Sequence, residues 1–268
     1  MLWIIAIICL AFSSCSTTSV KKISITPKVN IEPESQNIER ASGNFSKGEK
    51  LIYKVEWLGL NVADAVVEIE DILEMNGCSV YKIKLTAKTN GLVAKIFPVN
   101  NEYLSYADVC NMYSVKSQAD RHEGTRIKKE ETLFDRVNQK AYYTDFLKNR
   151  KKVVDIPENT YDVLAAAYYF RSMDVTVGDT ISYNVFSNGK LYPVHATIKK
   201  QEYLSISDLG TFKTFLIEPY IIRDGEVDRR AKVTAYFSAD KNRWPVYISL
   251  KGPVFTRINI FLKKVENV

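Results

Sequence analysis

The sequence is poor in the residues that most often bind metal ions or transfer protons. Its 268 residues include two histidines, His122 and His195, which lie far apart with no third ligand at the spacing of a zinc site. It contains no H-E-x-x-H, G-x-S-x-G or C-x-x-C motif and no phosphate-binding glycine loop. No spacing singles out two carboxylates as an acid and base pair. We therefore predict no catalytic, cofactor or metal site, and we assign both histidines to structural or surface positions.

Long apolar runs are also absent. The apolar run near the N terminus covers residues 2–12, which is eleven residues. A permanent membrane-spanning helix needs about 20 apolar residues, whereas a signal-peptide core has about 7 to 15. We therefore predict that residues 1–14 form a signal peptide that is removed on export.

The end of this run, Phe12-Ser13-Ser14-Cys15, resembles the bacterial lipoprotein signal. In that signal two small residues, here Ser13 and Ser14, precede a cysteine that is acylated and becomes the mature N terminus, here Cys15. The resemblance implies a lipid-anchored protein of the bacterial cell envelope, because several acyl chains hold a protein stably on a membrane. Ser16, where Asp would signal retention in the inner membrane, implies the outer membrane, facing the periplasm. An ordinary signal peptide and a retained membrane anchor are the alternatives.

Two cysteines, Cys78 and Cys110, remain beyond the predicted site of acylation. An even pair in an oxidising compartment is typical of a disulfide. Closing a loop of about 33 residues would stabilise the fold by roughly 3.7 kcal/mol in the chain-entropy model. Two unpaired thiols are the alternative, because the sequence does not show whether the two Cβ atoms approach each other.

The N-terminal region has the composition of a linker. Residues 16–46 are rich in Ser, Thr, Asn, Pro and charge, and they have no aromatic residue before Phe45. With the acylated cysteine, residues 15–46 are predicted to be a lipidated N terminus and flexible linker. A coil of about 30 residues spans roughly 30 Å on average and about 100 Å when extended. Residues 47–268 have the length of one domain and show no second linker or repeat.

The net charge is +6, spread over short basic runs. Such runs usually form solvated strand ends and loops. The alternative is a face that contacts anionic lipid head groups or other polyanions of the envelope. No zinc-finger or recognition-helix motif accompanies the charge, so nucleic acid is not a predicted partner.

Alternating apolar residues predict β-strands through most of the domain. In residues 51–57, 63–69 and 81–87 every second residue is apolar. Asn76-Gly77 predicts a hairpin between the second and third of these strands. Similar runs follow at residues 179–186, 192–200, 213–222, 232–237, 246–250 and 257–263. We predict a mainly β fold, in which about ten or more strands form a single curved antiparallel sheet or a partly open β-barrel or β-roll.

One segment predicts a helix instead. Residues 159–172 have helical spacing of apolar residues, with Asn159 as the expected N-cap, Asp162 in the first turn and Arg171 near the last. We expect this helix to pack on the sheet as a plug or a cover. A second, short helix is expected near residues 92–97.

Four stretches of the domain resemble, in order and spacing, the DUF3108 family of bacterial exported proteins: GEKLIYKVEWLGLNVADAVVEI, YDVLAAAYYFR, GTFKTFLIEP and WPVYISLK. The resemblance covers about residues 47–265. It implies an architecture similar to the LolA and LolB lipoprotein carriers, whose concave apolar face receives acyl chains. The family has no established activity. The resemblance therefore does not make the helix residues Asp162, Tyr168 and Arg171 catalytic, and we expect structural roles for them.

The sequence leaves two functions open. Sixteen tyrosines and twelve phenylalanines either fill the core or line a groove for an apolar ligand. The first hypothesis is a membrane-anchored envelope lipoprotein that binds or carries a lipid or acylated molecule in its concave face. The alternative is a non-catalytic accessory lipoprotein that acts through contacts with an envelope protein; a hydrolase is a distant third. A continuous aromatic cavity would favour the first, and a filled core beside an exposed apolar patch would favour the second.

Overall fold

The computed structural model of the protein describes residues 45–75, 77–223, 226–227, 232–251 and 257–267. The predicted signal peptide, Cys15 with its flanking Ser13 and Ser14, and nearly all of the predicted linker lie outside these residues. The boundaries of the signal peptide, the linker and the domain therefore stay predictions.

The described residues form sixteen strands and two helices. The helices are α1 (Gly91–Ile96) and α2 (Val163–Arg171). The strands are β1 (Lys50–Trp57), β2 (Leu60–Met75), β3 (Cys78–Thr89), β4 (Val99–Asp108), β5 (Ser114–Glu123), β6 (Arg126–Asp135), β7 (Lys140–Asp145), β8 (Arg150–Asp155), β9 (Thr160–Tyr161), β10 (Thr180–Ser187), β11 (Lys190–Ile206), β12 (Gly210–Arg223), β13 (Glu226–Val227), β14 (Lys232–Ser238), β15 (Pro245–Lys251) and β16 (Arg257–Glu266). Neither helix is long and apolar enough to cross a membrane.

All the strands belong to one curved, open sheet. Their order is β8-β7-β6-β5-β4-β3-β2-β1-β16-β15-β14-β12-β11-β10-β9, and β13 pairs with β12. Most neighbours in this order are also neighbours in sequence and are joined by short turns, so the pairs are antiparallel. The predicted mainly β fold is thus confirmed. One detail differs from the prediction, because β9 pairs with β10 in parallel.

The alternating pattern is confirmed in the first three strands. The predicted inward positions of β1, β2 and β3 are buried: Leu51, Tyr53, Val55, Ala63, Ala65, Val67, Ile69, Tyr81, Ile83, Leu85 and Ala87. Trp57 continues the pattern in sequence but is 43% exposed, because β1 ends there and turns away from the core. The predicted hairpin is confirmed by the pairing of Met75 with Cys78.

Helix α2 lies among the inward side chains of the sheet, as predicted, but it begins later than predicted. Asn159 is not its N-cap, because Thr160 and Tyr161 form β9 beside β10. Asp162 caps the helix instead, and its carboxylate accepts hydrogen bonds from the N–H groups of Leu164 and Ala165. Most residues of α2 are buried in the main core. The helix therefore fills the concave side of the sheet.

The turn between β10 and β11 packs against the opposite side of the open sheet. Asn188 and Gly189 both have positive φ angles, 53° and 68°, as the two central residues of a type I′ hairpin turn require. A Cβ atom at Gly189 would lie 2.8 Å from the Tyr143 ring on β7, so only glycine fits this contact. Phe186 and Phe134 pack edge to face beside it, with ring centroids 5.9 Å apart. These contacts bring β10 and β7 together although no ladder joins them.

Candidate functional site

Exposed apolar side chains are concentrated at one end of the sheet. In the first half of the sheet, four connections, β1–β2, β3–β4, β5–β6 and β7–β8, leave the strands at this end, which we call the loop end. They carry or flank nine exposed large apolar residues, named here the apolar rim: Trp57, Leu58, Leu60, Leu92, Ile96, Phe97, Ile127, Phe146 and Leu147. Among the described connections at the opposite end, the exposed large apolar residues are Val137 and Val177, at 94% and 51%. Soluble proteins seldom concentrate apolar side chains in this way, and such patches mark interaction surfaces.

Hydrogen bonds hold the four connections side by side. The N–H of Asn90, before α1, donates to the Val62 carbonyl in β2 at 3.0 Å. The N–H of Gly124, in the β5–β6 turn, donates to the Pro98 carbonyl after α1 at 2.7 Å. The N–H of Phe146 donates to the Lys129 carbonyl of β6 at 2.9 Å. The apolar rim is therefore one surface and not four separate tips.

The β1–β2 turn places Leu58 on this surface although both its backbone conformation and its exposure are unfavourable for leucine. Leu58 and Gly59 have φ angles of 51° and 79°, so they form the same kind of two-residue turn as Asn188 and Gly189. Asparagine is preferred at the first of these positions, and a leucine there pays a steric cost. Leu58 is also 71% exposed, so burial of its side chain does not offset the steric cost. Such a conflict between sequence and local structure is expected at a functional surface.

Helix α1 presents two further apolar residues to solvent. None of its six residues is buried, and its N-cap residue Asn90 makes no side-chain capping bond. Leu92 and Ile96, which are four residues apart, are 75% and 84% exposed. Residues with this spacing lie on one face of a helix. An isolated helix of this length is unstable in water, so α1 depends on its contacts with β2 and β3 and exposes its apolar face nonetheless.

The charge around the apolar rim is mainly positive. The connections of the loop end expose Lys95, Arg126, Lys148 and Arg150. Of their acidic residues, Asp145 is buried and Glu123 accepts a hydrogen bond from Asn101 at 2.8 Å. The loop end therefore presents uncovered positive charge beside exposed apolar side chains.

A row of three basic residues extends this charge across the sheet. Lys232, Lys251 and Arg257 lie directly opposite one another on β14, β15 and β16. Lys232 forms an ion pair with Glu218 at 2.9 Å. Like charges that face each other across strands are destabilising unless an anion screens them.

A small cavity with a mixed polar and apolar lining lies beneath the β10–β11 turn. Its volume is about 500 Å³ including the open mouth, and Arg121, Glu130, Tyr143 and Asn188 line it. Arg121 donates to Glu130 and to the side-chain oxygen of Asn188, each at 2.8 Å. Tyr143 donates to Glu130, and burial raises the pKa of its phenol. These groups are engaged with one another, so the cluster anchors the turn and offers little to an apolar ligand.

The three residues of the family motif lie in α2 and take part in buried polar contacts. Arg171 donates two hydrogen bonds of 2.6 Å to the carboxylate of Glu49, and both side chains are 1% exposed. Tyr168 donates to the same carboxylate at 3.1 Å. Asp162, at the other end of α2, accepts from the hydroxyls of Ser105 and Ser114, each at 2.7 Å. Asp162 also lies in the lining of the cavity beneath the β10–β11 turn, and the contacts of all three residues fit structural roles.

The sequence did not point to Glu49. It lies next to Lys50 at the start of β1, where an exposed charge would be ordinary, and it is separated from Arg171 by 122 positions. A glutamate directly before a strand is no signal of burial, so the pairing could be found only in the structure.

The two histidines lie apart, as expected. His122 contacts Asp120 at 3.0 Å on β5, and His195 contacts Ser182 at 2.8 Å on β11. Burial lowers the pKa of His195. Among the described residues, no group of three or more His, Cys, Asp or Glu residues could hold a metal ion.

The two cysteines lie near each other in the sheet register. Ser79 and Val109 are joined by a 3.0 Å hydrogen bond, and Cys78 and Cys110 are the next residue on each side. In the structure both are exposed free thiols. The disulfide stays a prediction: the protein purified without reductant is expected to be about 2 mass units lighter than after reduction, because a disulfide forms with loss of two hydrogens. Alkylation of both thiols without prior reduction would contradict it.

The fold and the site define a class: a β-barrel-like protein with a filled concave face and an exposed apolar rim at one end. The chain belongs to the DUF3108 family, described as a protein of unknown function, whose model matches residues 52–257. The family resemblance of the sequence is thereby confirmed. A search of the curated proteins finds no match.

Three solved structures are similar to this chain, and the first of them supports the fold. A β-barrel-like protein of the DUF1849 family from Brucella abortus is 8% identical, with a TM-score of 0.54 over 83% of this chain and 98% of that one. An exported protein from Bacteroides fragilis, described as having a YmcC-like fold, is 11% identical, with a TM-score of 0.32 over 85% of this chain and 100% of that one. A protein from Parabacteroides distasonis described as a lipoprotein is 8% identical, with a TM-score of 0.32 over 85% of this chain and 99% of that one. The first of these likenesses concerns the fold alone.

Proposed function

We propose that the protein is a non-catalytic lipoprotein of the bacterial envelope that is anchored through Cys15 and acts by docking its apolar rim on another surface. The observation that carries this proposal is the concentration of exposed apolar residues at the loop end. A filled core beside an exposed apolar patch was the feature expected of an accessory protein. The lipoprotein signal at residues 12–15 supports the anchor.

The first hypothesis, an apolar ligand held in the concave face, has less support. The inward aromatic rings that would line such a groove pack on one another and on α2: Phe170 and Phe237 have centroids 4.6 Å apart, and Tyr161 and Tyr169 are 4.4 Å apart. The cavity beneath the β10–β11 turn has the charged pair Arg121 and Glu130 in its lining, beside apolar side chains. A lipid bound in stoichiometric amount to the purified protein, seen by native mass spectrometry, would restore this hypothesis.

The anchor is tested by labelling growing cells with radioactive palmitate. The wild-type chain is expected to incorporate the label and to sediment with membranes, whereas the Cys15→Ser variant incorporates none, because its thiol is the attachment point. The Cys78→Ser variant serves as the control and keeps the label. Equal labelling of the wild type and the Cys15→Ser variant would contradict the proposal.

The docking surface is tested by photo-crosslinking in cells. A photoreactive amino acid replaces Leu60, in the apolar rim, or Val137, which is 94% exposed at the opposite end. We expect a crosslinked adduct from position 60 and little or none from position 137, since only the rim is in contact with a partner. Equal yields at the two positions, or none at either, would exclude docking through the rim.

A further inference from the structure

We infer that the apolar rim docks on a phospholipid bilayer that carries anionic head groups. This inference rests on the proposed function and names the partner. Two independent features of the loop end support it, the nature of its apolar side chains and the sign of its charge.

The apolar side chains suit the boundary between head groups and acyl chains. Leu58, Leu60, Leu92 and Ile96 are at least 68% exposed, and they project from connections beyond the ends of the strands. Trp57, Phe97 and Phe146 accompany them at 43% to 50% exposure. Aromatic rings are enriched at membrane interfaces, and short apolar tips can enter the interface without unfolding the domain behind them.

In the four connections of the rim, the exposed charged residues that the structure describes are basic. Lys95, Arg126, Lys148 and Arg150 lie in the same connections as the apolar tips. Basic residues next to inserted apolar side chains strengthen binding to anionic lipid surfaces. A protein partner would be expected to meet a mixture of both charges and neutral hydrogen-bonding groups. The exposed charge of the rim connections that the structure describes has one sign, which favours the membrane over a protein.

The row of Lys232, Lys251 and Arg257 points the same way. Lys251 has a basic residue directly opposite on each side, and Glu218 pairs with Lys232 only. In the isolated protein this arrangement costs stability. A plane of phosphate groups would screen all three residues together. The repulsion between them is therefore relieved when the loop end meets an anionic surface.

The linker is long enough to allow this orientation. Strand β1 starts at the end opposite the loop end, so the chain enters the domain on the far side from the rim. Crossing the eight residues of β1 takes roughly 26 Å. The predicted linker of about 30 residues reaches about 100 Å when extended. The rim can therefore meet the membrane that holds the anchor.

The test is sedimentation with lipid vesicles. The mature chain from residue 15, with Cys15→Ser so that no acyl chain contributes, is mixed with vesicles of phosphatidylcholine alone or with about 30% phosphatidylglycerol. We expect binding to the anionic vesicles to be at least tenfold stronger, on the order expected for several basic contacts, and to fall steeply with added salt. Equal binding to both vesicles, or none to either, would overturn the inference.

Matched variants assign the binding to the loop end. The pair Leu58→Asn and Leu60→Thr is expected to weaken binding about tenfold by removing two exposed leucines. Asparagine is the preferred residue at the first position of this turn, so the variant is expected to unfold at the same urea concentration as the wild type or higher. The pair Lys148→Gln and Arg150→Gln should weaken binding and reduce its salt dependence. Val137→Ser and Lys241→Gln, at the opposite end, should change nothing.

The outcomes separate the partner from the function. If the chain fails to bind anionic vesicles but position 60 still gives a protein adduct in cells, the rim docks on a protein and the lipid inference is wrong. If vesicles are bound but the leucine variant binds as well as the wild type, another surface is responsible and the inference is again overturned. If position 60 gives no adduct in cells, the proposed function itself fails.

Discussion

Replacing Arg171 with methionine is expected to lower the free energy of unfolding by about 3 to 5 kcal/mol. The Arg171 guanidinium makes two hydrogen bonds of 2.6 Å to Glu49 and also donates to the Asn242 carbonyl. Removing it leaves the Glu49 carboxylate in the core without its cation, and the desolvation cost of a buried charge exceeds that of most lost contacts. Urea unfolding followed by circular dichroism measures the change.

A double variant separates the ion pair from simple packing. Glu49→Leu combined with Arg171→Met removes both charges, and it should recover most of the stability that the single change loses, because an apolar pair of similar volume is tolerated at such sites. Lys264→Met is the control, since Lys264 pairs with Glu266 on the surface and is 62% exposed. A single Arg171→Met variant as stable as this control would show that the buried pair does not support the fold.

Replacing Asp162 with alanine is expected to cost about 2 to 4 kcal/mol. Its carboxylate accepts four hydrogen bonds, from the hydroxyls of Ser105 and Ser114 and from the N–H groups of Leu164 and Ala165. Alanine leaves these buried donors without an acceptor. Asparagine keeps an oxygen for the two N–H groups, and its amide can donate to the hydroxyls, so Asp162→Asn should be much milder. Comparable losses for the two variants would contradict a capping role.

The same residue makes stability depend on pH in a defined direction. Burial raises the pKa of Asp162 above the ordinary value of 3.8. The folded protein therefore holds this proton more tightly than the unfolded chain, and the contribution is present below pH 3.8 and is lost as the pH rises through the folded pKa. As the pH rises from 3.8 through the folded pKa of Asp162, the free energy of unfolding of the wild type should fall relative to that of Asp162→Asn. Urea unfolding of both proteins across this range measures it, and a constant difference would contradict the assignment.

Local patterns predicted the strands because one face of each strand is buried. The alternation in β1, β2 and β3 follows directly from that requirement, and the positions it marks as inward, such as Tyr53, Val67 and Ile83, are buried. Trp57 broke the pattern because alternation carries no information about where a strand leaves the core.

The predicted start of α2 at Asn159 was wrong for a related reason. Asn159 and Asp162 are both good N-cap residues. The choice between them depends on the parallel pairing of β9 with β10, which joins residues 160 and 184 and leaves no local signal. A long-range contact likewise determines that Glu49 and Arg171 are buried as an ion pair. Where two local signals compete, tertiary contacts select one of them.

The apolar rim did leave a trace in the sequence. In the segment Trp57-Leu58-Gly59-Leu60, two leucines flank a turn glycine, where asparagine or aspartate is usual. The glycine is typical of a turn, but the sequence could not show that α1 and the β7–β8 turn lie beside it. The surface became visible only once the sheet brought these separate connections together.

The pairing of β1 with β16 sets the order in which the fold can be completed. Lys50 faces Glu266, so β1 lies between its sequence neighbour β2 and the distant strand β16. Strands β1 to β8 can pair as successive hairpins, but one edge of β1 stays open until β16 has formed. An unpaired edge is prone to join other chains. Because contacts so distant in sequence form slowly, the folding chain should need protection at this edge, and truncations that remove β16 should aggregate and not fold in part.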